Sequence, residues 1–268
     1  MTQDSAQVVL RTQALFKRFG GITAANDVSL TVRQGARHAL IGPNGAGKTT
    51  IINLLTGVLP PTSGRVQLLG QDITTLAPHR RVGLGLVRTF QINQLFASFT
   101  PLQSLALAVA SRRDAARRFW QPVGADAEIA AEAETLLRRF RLMEHALRPT
   151  RELPYGKRRL LEIALAVAQQ PKVLLLDEPA AGVPAAERGD ILDTVAALPP
   201  DVAVLLIEHD MDLVFSFARR ITVLVNGAIF TEGSTAEIAA DPRVKAVYLG
   251  DADQGAADMA ETPQASHG

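Results

Sequence analysis

Between an apolar triplet, Ala39-Leu40-Ile41, and a run with helical spacing, Lys48 to Thr56, the sequence places Gly42-Pro43-Asn44-Gly45-Ala46-Gly47-Lys48-Thr49. Few local patterns restrict a fold more. Glycines at its first, fourth and sixth positions let the main chain turn with several N–H groups converging on one point. The helix that follows adds the positive end of its dipole to the same point. Such a loop needs a buried strand to bring the chain in and a helix packed on the same sheet to carry it out. It therefore points to an α/β architecture and to a phosphate-bearing ligand. In this arrangement the Lys48 ammonium reaches the β- and γ-phosphates of a nucleotide, and the Thr49 hydroxyl holds Mg²⁺. Gly42, Pro43, Asn44, Gly45, Ala46, Gly47, Lys48, Thr49 and Thr50 are all expected to line the nucleotide.

A second feature belongs with the first. The apolar run Val173 to Leu176 ends in Asp177-Glu178. Asp177, at the carboxyl end of a buried strand, can hold Mg²⁺ through its water shell. Glu178 is then placed to orient and deprotonate an attacking water. Alone, two acids after a strand mean only that the strand has reached the surface. Beside a phosphate loop they complete the parts needed for hydrolysis.

Along the chain, Val8 to Leu15, Val28 to Val32, Ala39 to Ile41 and Arg65 to Leu69 read as strands, with turns at Gly20-Gly21 and Gln34-Gly35. From Thr100 to Phe140 alanine, leucine and arginine dominate. Ala127 to Phe140 has helical spacing with acids early and bases late, and a loop is expected at Gln121 to Asp126. Alternation then resumes with strand Val173 to Leu176, helix Ala185 to Leu198 and strand Val202 to Ile207. Short all-apolar strands between helices predict a parallel sheet covered on both faces. Strands Ile221 to Val225 and Ala228 to Thr231 meet at Asn226-Gly227, a strong hairpin signal.

Composition narrows the alternatives. The 268 residues carry a net charge of +1, too little to draw the chain onto nucleic acid or an anionic membrane. The arginine pairs Arg80-Arg81, Arg112-Arg113 and Arg117-Arg118 read as solvated helix faces. Cysteine is absent, which excludes disulfides and thiolate metal sites. Met1 to Gln7 lacks the pattern of a signal peptide, and no apolar run approaches the roughly 20 residues that span a bilayer. Any membrane role is expected to run through a partner. Asp251 to Gly268 has little to bury and is expected to be a disordered tail.

Taken together, these motifs resemble the ABC-type ATPases over nearly all of residues 8–250. Further segments carry the likeness. Leu153-Pro154-Tyr155-Gly156-Lys157 stands where the family has Leu-Ser-Gly-Gly-Gln, the motif that completes the ATP site of the opposite subunit. Phe19 resembles the aromatic that stacks on adenine, with core packing as the plainer alternative. Gln91, in Thr89-Phe90-Gln91, resembles the glutamine that touches Mg²⁺ and water, and His209 the switch histidine at the γ-phosphate. Within the family, Arg18-Phe19-Gly20-Gly21, Asp177 to Gly182, Ile207 to Met211 and Asp241-Pro242 to Tyr248-Leu249-Gly250 look like the branched-chain amino-acid importer type.

The resemblance implies a P-loop NTPase (RecA-like) core with an antiparallel β subdomain and an inserted α-helical subdomain. Residues 1–92 and 164–250 would form the core and β subdomain, 93–163 the helical subdomain and 251–268 the tail. It implies ATP and Mg²⁺ as cofactors and a dimer with a second ATP-binding subunit. It also implies transmembrane permease subunits at the cytoplasmic face of the membrane and an extracytoplasmic solute-binding protein, with no nucleic acid. Leu95, Phe96 and Phe99 would form an apolar groove for a permease helix, or else ordinary core. Pro154 replaces a serine that caps a helix and donates to phosphate, Lys157 replaces a glutamine, and Pro184 replaces a polar residue. A soluble ABC ATPase acting on nucleic acid or the ribosome, a non-hydrolysing regulatory cassette, and an exporter of a lipid-linked molecule are the alternatives.

Overall fold

The computed structural model describes residues 6–89, 95–113 and 126–248. Six strands form the central sheet: β4 (Arg37–Ile41), β7 (Leu86–Arg88), β8 (Val173–Asp177), β9 (Ala203–Ile207), β10 (Arg220–Val225) and β11 (Ala228–Ser234). Their order is β11-β10-β4-β9-β8-β7. All neighbours run parallel except β11, which returns beside β10 through Asn226-Gly227. Both turn residues have positive φ, 49° and 78°, as the tight hairpin demands.

β9 is apolar at every position and β8 at all but its last, Asp177, because both faces are covered. Leu174, Leu176, Val204 and Leu206 point to one core, shared with Leu161 and Ile163 of α5 (Tyr155–Ala168) and Leu192 and Val195 of α6 (Ala185–Ala196). Val173, Leu175, Leu205 and Ile207 point the other way, onto Ile51 and Leu54 of α1 (Lys48–Thr56). A second, antiparallel sheet closes that side. It consists of β1 (Val8–Phe19), β2 (Ile22–Val28), β3 (Thr31–Arg33), β5 (Ser63–Leu68) and β6 (Gln71–Asp72), in the order β2-β1-β5-β6 with β3 also on β1.

α2 (Pro78–Gly83), α3 (Pro101–Arg112), α4 (Ala127–Arg139), α7 (Met211–Phe217) and α8 (Thr235–Ala240) complete the described α-helices, and short 3-10 turns lie at Met143–His145 and Thr150–Glu152. α4 buries Ile129, Ala133, Leu136 and Leu137, one helical stripe, and Asp126 caps its first turn. α3 opens with Pro101 and a reciprocal cap between Thr100 and Gln103.

Two expectations need correction. Val28 to Val32 is not one strand: β2 ends at Val28 and β3 starts at Thr31. The Thr12 hydroxyl causes the break, donating to the Val28 carbonyl at 2.7 Å and accepting the Leu30 N–H at 2.8 Å. Nor are the arginine pairs simply solvated. Arg81 is buried, and Arg112 makes a two-pronged bond to Glu132 with both distances at 2.8 Å, tying α3 to α4. Arg117-Arg118, most of the Gln121 to Asp126 loop and the expected tail lie outside the described residues.

One buried polar chain crosses the sheet. The Thr222 hydroxyl donates to Glu232 Oε2 at 2.6 Å, so at 2.8 Å it accepts from His38 Nε2, which fixes the proton on that nitrogen. Burial pushes the His38 pKa down from 6.5 to about 4, outweighing the opposing pull of Glu232. A histidine kept neutral by folding but free to protonate once unfolded costs stability as pH falls from 6.5 towards 4. Over that window wild-type protein should lose ~3 kcal/mol that His38→Gln does not lose, measured by urea unfolding at several pH values.

Candidate nucleotide site

The glycine loop is gripped from two sides, by β2 and by the hairpin between β10 and β11. Gly47 lies at φ +99°, and a Cβ there would stand 2.4 Å from the Ala24 carbonyl oxygen, so any other residue would push β2 away. The Gly227 N–H donates to the Ala46 carbonyl at 2.9 Å, and the Asn26 N–H to the Gly227 carbonyl at 2.8 Å. Hairpin, β2 and loop therefore hold one another. Lys48 folds back along the loop, its ammonium donating to the carbonyls of Gly42 at 2.6 Å and Pro43 at 2.9 Å. Asn44, Gly45 and Thr49 are exposed, Pro43 and Thr50 half-buried, and Ala46 buried.

Asp177 and Glu178 sit at the carboxyl end of β8, where ligands of parallel sheets gather. The Glu178 N–H donates to the Ile207 carbonyl at 2.9 Å, and its φ of +45° turns the chain sharply out of the sheet. Thr49, Asp177 and Glu178 line one cleft. His209 follows β9, and its Nδ1 stands 3.5 Å from Glu178 Oε1. Glu208, beside it, is buried; its carboxylate accepts the N–H groups of Ala180 at 3.3 Å and His209 at 3.2 Å. Burial raises the Glu208 pKa while those N–H groups oppose the shift.

Phe19, at the end of β1, is 46% exposed, so core packing is not its role. The Lys17 ammonium lies 5.0 Å from its ring centroid. Tyr155, Gly156 and Lys157 form the first turn of α5, with Pro154 preceding it and offering no side-chain cap. The Tyr155 hydroxyl donates to the Ala181 carbonyl at 3.2 Å, and a Cβ on Gly156 would meet Glu187 Oε2 at 2.1 Å. Gln91 lies outside the described residues.

Two arginines at the site carry no signal in the sequence. Arg88 donates to Asp177 Oδ2 at 2.6 Å and to Asn53 Oδ1 at 3.0 Å, bridging β7, β8 and α1. Arg159 binds the carbonyls that follow β8. No motif marks either contact, because each depends on strand and helix neighbours remote in sequence. Among the described residues no group of three or more His, Asp or Glu is arranged to hold a metal unaided. One carboxylate and one hydroxyl, Asp177 and Thr49, suit a Mg²⁺ whose other positions are taken by phosphate and water.

Fold and site together define a nucleotide-binding protein of the P-loop class. A family model described as "ABC transporter" matches residues 25–181, and one described as "Branched-chain amino acid ATP-binding cassette transporter" matches residues 229–254. LivG of Salmonella typhimurium, a "high-affinity branched-chain amino acid transport ATP-binding protein", is 39% identical over 260 residues, covering 92% of this chain and 100% of LivG. BraF of Pseudomonas aeruginosa, described in the same words, is 39% identical over 251 residues, covering 91% of this chain and 98% of BraF. The crystal structure of an ATP-binding cassette of an ABC transporter in its ADP conformation superposes with a TM-score of 0.81 at 32% identity, covering 91% of this chain and 99% of the other. The chain belongs to the ABC transporter ATP-binding family, in the branch of LivG and BraF. It is an ABC-type ATPase, and these relatives favour transport over a soluble ABC protein acting on nucleic acid.

Proposed function

We propose that this chain is the ATP-hydrolysing subunit of an importer, closing head to tail on a second ATP-binding subunit to drive transmembrane permease subunits. The solute is a branched-chain amino acid or a related amide or acid, delivered by an extracytoplasmic binding protein. The chain works as a peripheral subunit at the cytoplasmic face of the membrane. No helix among the described residues is long and apolar enough to cross a bilayer, so the permease supplies the pathway. The observation that carries the reading is the placement of Glu178 at the end of β8, beside His209 and over the cleft that contains Thr49.

Phe19 stacks on adenine and the Gly42 to Thr50 loop cradles the phosphates, with Lys48 turning from the Gly42 and Pro43 carbonyls to phosphate oxygens. Thr49 and Asp177, with Gln91, hold Mg²⁺, which when bound neutralises phosphate charge. Glu178 takes the proton from the attacking water, and His209 orients the γ-phosphate against it. Tyr155, Gly156 and Lys157 complete the partner's site through N–H groups at the start of α5. Lys157 supplies there a charge that glutamine would not.

Phe96 is 59% exposed and its ring centroid lies 4.9 Å from that of Phe99, while Leu95 packs on the core. The Phe99 carbonyl accepts both the N–H and the hydroxyl of Thr150, at 2.8 and 2.7 Å, so this apolar edge is fixed to the segment leading into α5. A permease helix seated there would push directly on the signature turn.

Steady-state ATP hydrolysis by the purified chain, followed with light scattering, tests the proposal. Turnover with ATP-dependent dimerisation is expected; ATP binding with neither would mean that the chain needs a different ATP-binding subunit or the permease subunits, or is a regulatory cassette. Phe19→Ala should weaken nucleotide affinity about tenfold, the worth of one stacked base, with little change in maximal rate. A titration with a fluorescent ATP analogue reads this, and unchanged affinity would remove Phe19 from the site.

A further inference from the structure

Arg159 is buried at the edge of the cleft that Thr49, Asp177 and Glu178 line, yet no motif assigns it a task. It stands on α5, four residues beyond Tyr155, and reaches back to the chain leaving β8. Nε donates to the Pro179 carbonyl at 2.9 Å, and Nη2 donates to the carbonyls of Asp177, at 3.3 Å, and Glu178. Nη1 donates to Glu162 Oε2 at 2.6 Å, one turn further along α5. Glu162 is itself fully buried, and its other carboxylate oxygen has no hydrogen-bond partner. A buried charge pair with an unsatisfied oxygen is poor material for stability alone. Apolar side chains of equal volume would fill the place at least as well.

What the pair does achieve is geometric. A planar guanidinium with fixed donor directions holds three successive carbonyls, and these belong to Asp177, Glu178 and the residue after them. Glu178 keeps a φ of +45°, a conformation that needs external support in a non-glycine residue. Two further contacts join the same partners. Tyr155 donates to the Ala181 carbonyl at 3.2 Å, and Gly156 lies against the Glu187 carboxylate. The first turns of α5 and the segment from Asp177 to Glu187 therefore move as one body.

We infer that Arg159 is a positioning residue that couples the two ATP sites, carrying any displacement of Tyr155–Lys157 to the backbone of Glu178 in the same chain. The inference rests on the head-to-tail dimer proposed above. There, Tyr155–Lys157 touches the partner's nucleotide while Glu178 serves this chain's own. Arrival of ATP at one site thus sets the general base of the other. A shift of about 1 Å in a reacting group changes rates by as much as 10²-fold, so a small motion suffices.

Two variants of the full chain test this. Arg159→Lys keeps the charge beside Glu162 but cannot fork to three carbonyls. Arg159→Met combined with Glu162→Leu removes the pair while filling the core, and guards against misfolding of the first. Both should bind a fluorescent ATP analogue within about twofold of wild type and, in a Glu178→Gln background, still dimerise with ATP. Both should lose about 10²-fold in kcat with KM little changed, and the Hill coefficient for ATP should fall to one. Unchanged kcat and cooperativity would overturn the inference. So would a parallel loss of nucleotide affinity, which would make Arg159 a prop for the binding loop. Wild-type protein that binds ATP without dimerising or turning over would instead remove the head-to-tail dimer of this chain, and this inference with it.

Discussion

Glu178→Gln should lower steady-state ATP turnover by about 10³-fold while leaving nucleotide affinity within about twofold of wild type. The two side chains have the same shape, so the amide oxygen can keep its place 3.5 Å from His209 Nδ1. The backbone is held independently by the Ile207 carbonyl and by Arg159, so the +45° φ does not depend on the carboxylate. What the amide cannot do is accept a proton from water. Binding energy from the phosphate loop is untouched, so ATP should still close the dimer, which then persists because hydrolysis no longer opens it. Light scattering should therefore report a dimer in the variant with ATP and a monomer without it. Retained turnover would transfer the base role to another carboxylate. Glu208 could not take it over without rearrangement, being 2% exposed and committed to the N–H groups of Ala180 and His209.

Much of this machinery is legible in the sequence, because its parts are local. The loop from Gly42 to Thr50, its helix and the Asp177-Glu178 end of β8 each lie within a few residues of chain. β8, β9 and the latter half of β4 announce themselves because strands buried on both faces run through consecutive apolar residues, here Val173 to Leu176, Ala203 to Ile207 and Ala39 to Ile41. β2 does not. Its Thr23, Asn26 and Asp27 face outwards from the edge of the antiparallel sheet, and Ile22 is 72% exposed, so no apolar alternation marks it. β7, with three residues, is too short to carry a pattern.

The arginines fail for a different reason. Arg88 and Asp177 are 89 positions apart, and Arg159 and Glu178 are 19. An arginine in sequence looks the same whether it meets water or a row of carbonyls, since its long stem serves either end. Phe19 and His209 owe their assignment to the resemblance, because a single aromatic or histidine carries no pattern of its own. Thus the loop and the acidic pair proposed to bind nucleotide are written in local motifs, while the arginines that hold them in place are written only in the fold.

Arg81 is the extreme case, and its removal should have the largest effect on stability. Its sequence context suggests a solvated helix face, yet it is 1% exposed. Nη1 donates to the carbonyls of Leu54 and Leu55 at 2.8 and 2.6 Å, in the last turn of α1. Nε donates to the Leu76 carbonyl at 2.9 Å and Nη2 to that of Thr74 at 2.7 Å. One side chain thus caps the helix that begins at the phosphate loop and ties it to the segment leading into α2. Arg81→Met retains the apolar stem but leaves four carbonyls without this donor, each costing about 1–3 kcal/mol when buried and unsatisfied. Release of the buried guanidinium offsets part of this, so the expected loss is about 3–5 kcal/mol, read from urea unfolding. A loss below about 1 kcal/mol would mean that water replaces the guanidinium at the helix end. Nucleotide then separates local from global effects. At about 100 times its Kd, ATP should stabilise wild type and variant by the same ~2.7 kcal/mol if the loop at the other end of α1 is undisturbed. A smaller increment in the variant at the same ATP concentration would show that fraying at Thr56 propagates along the helix to Lys48.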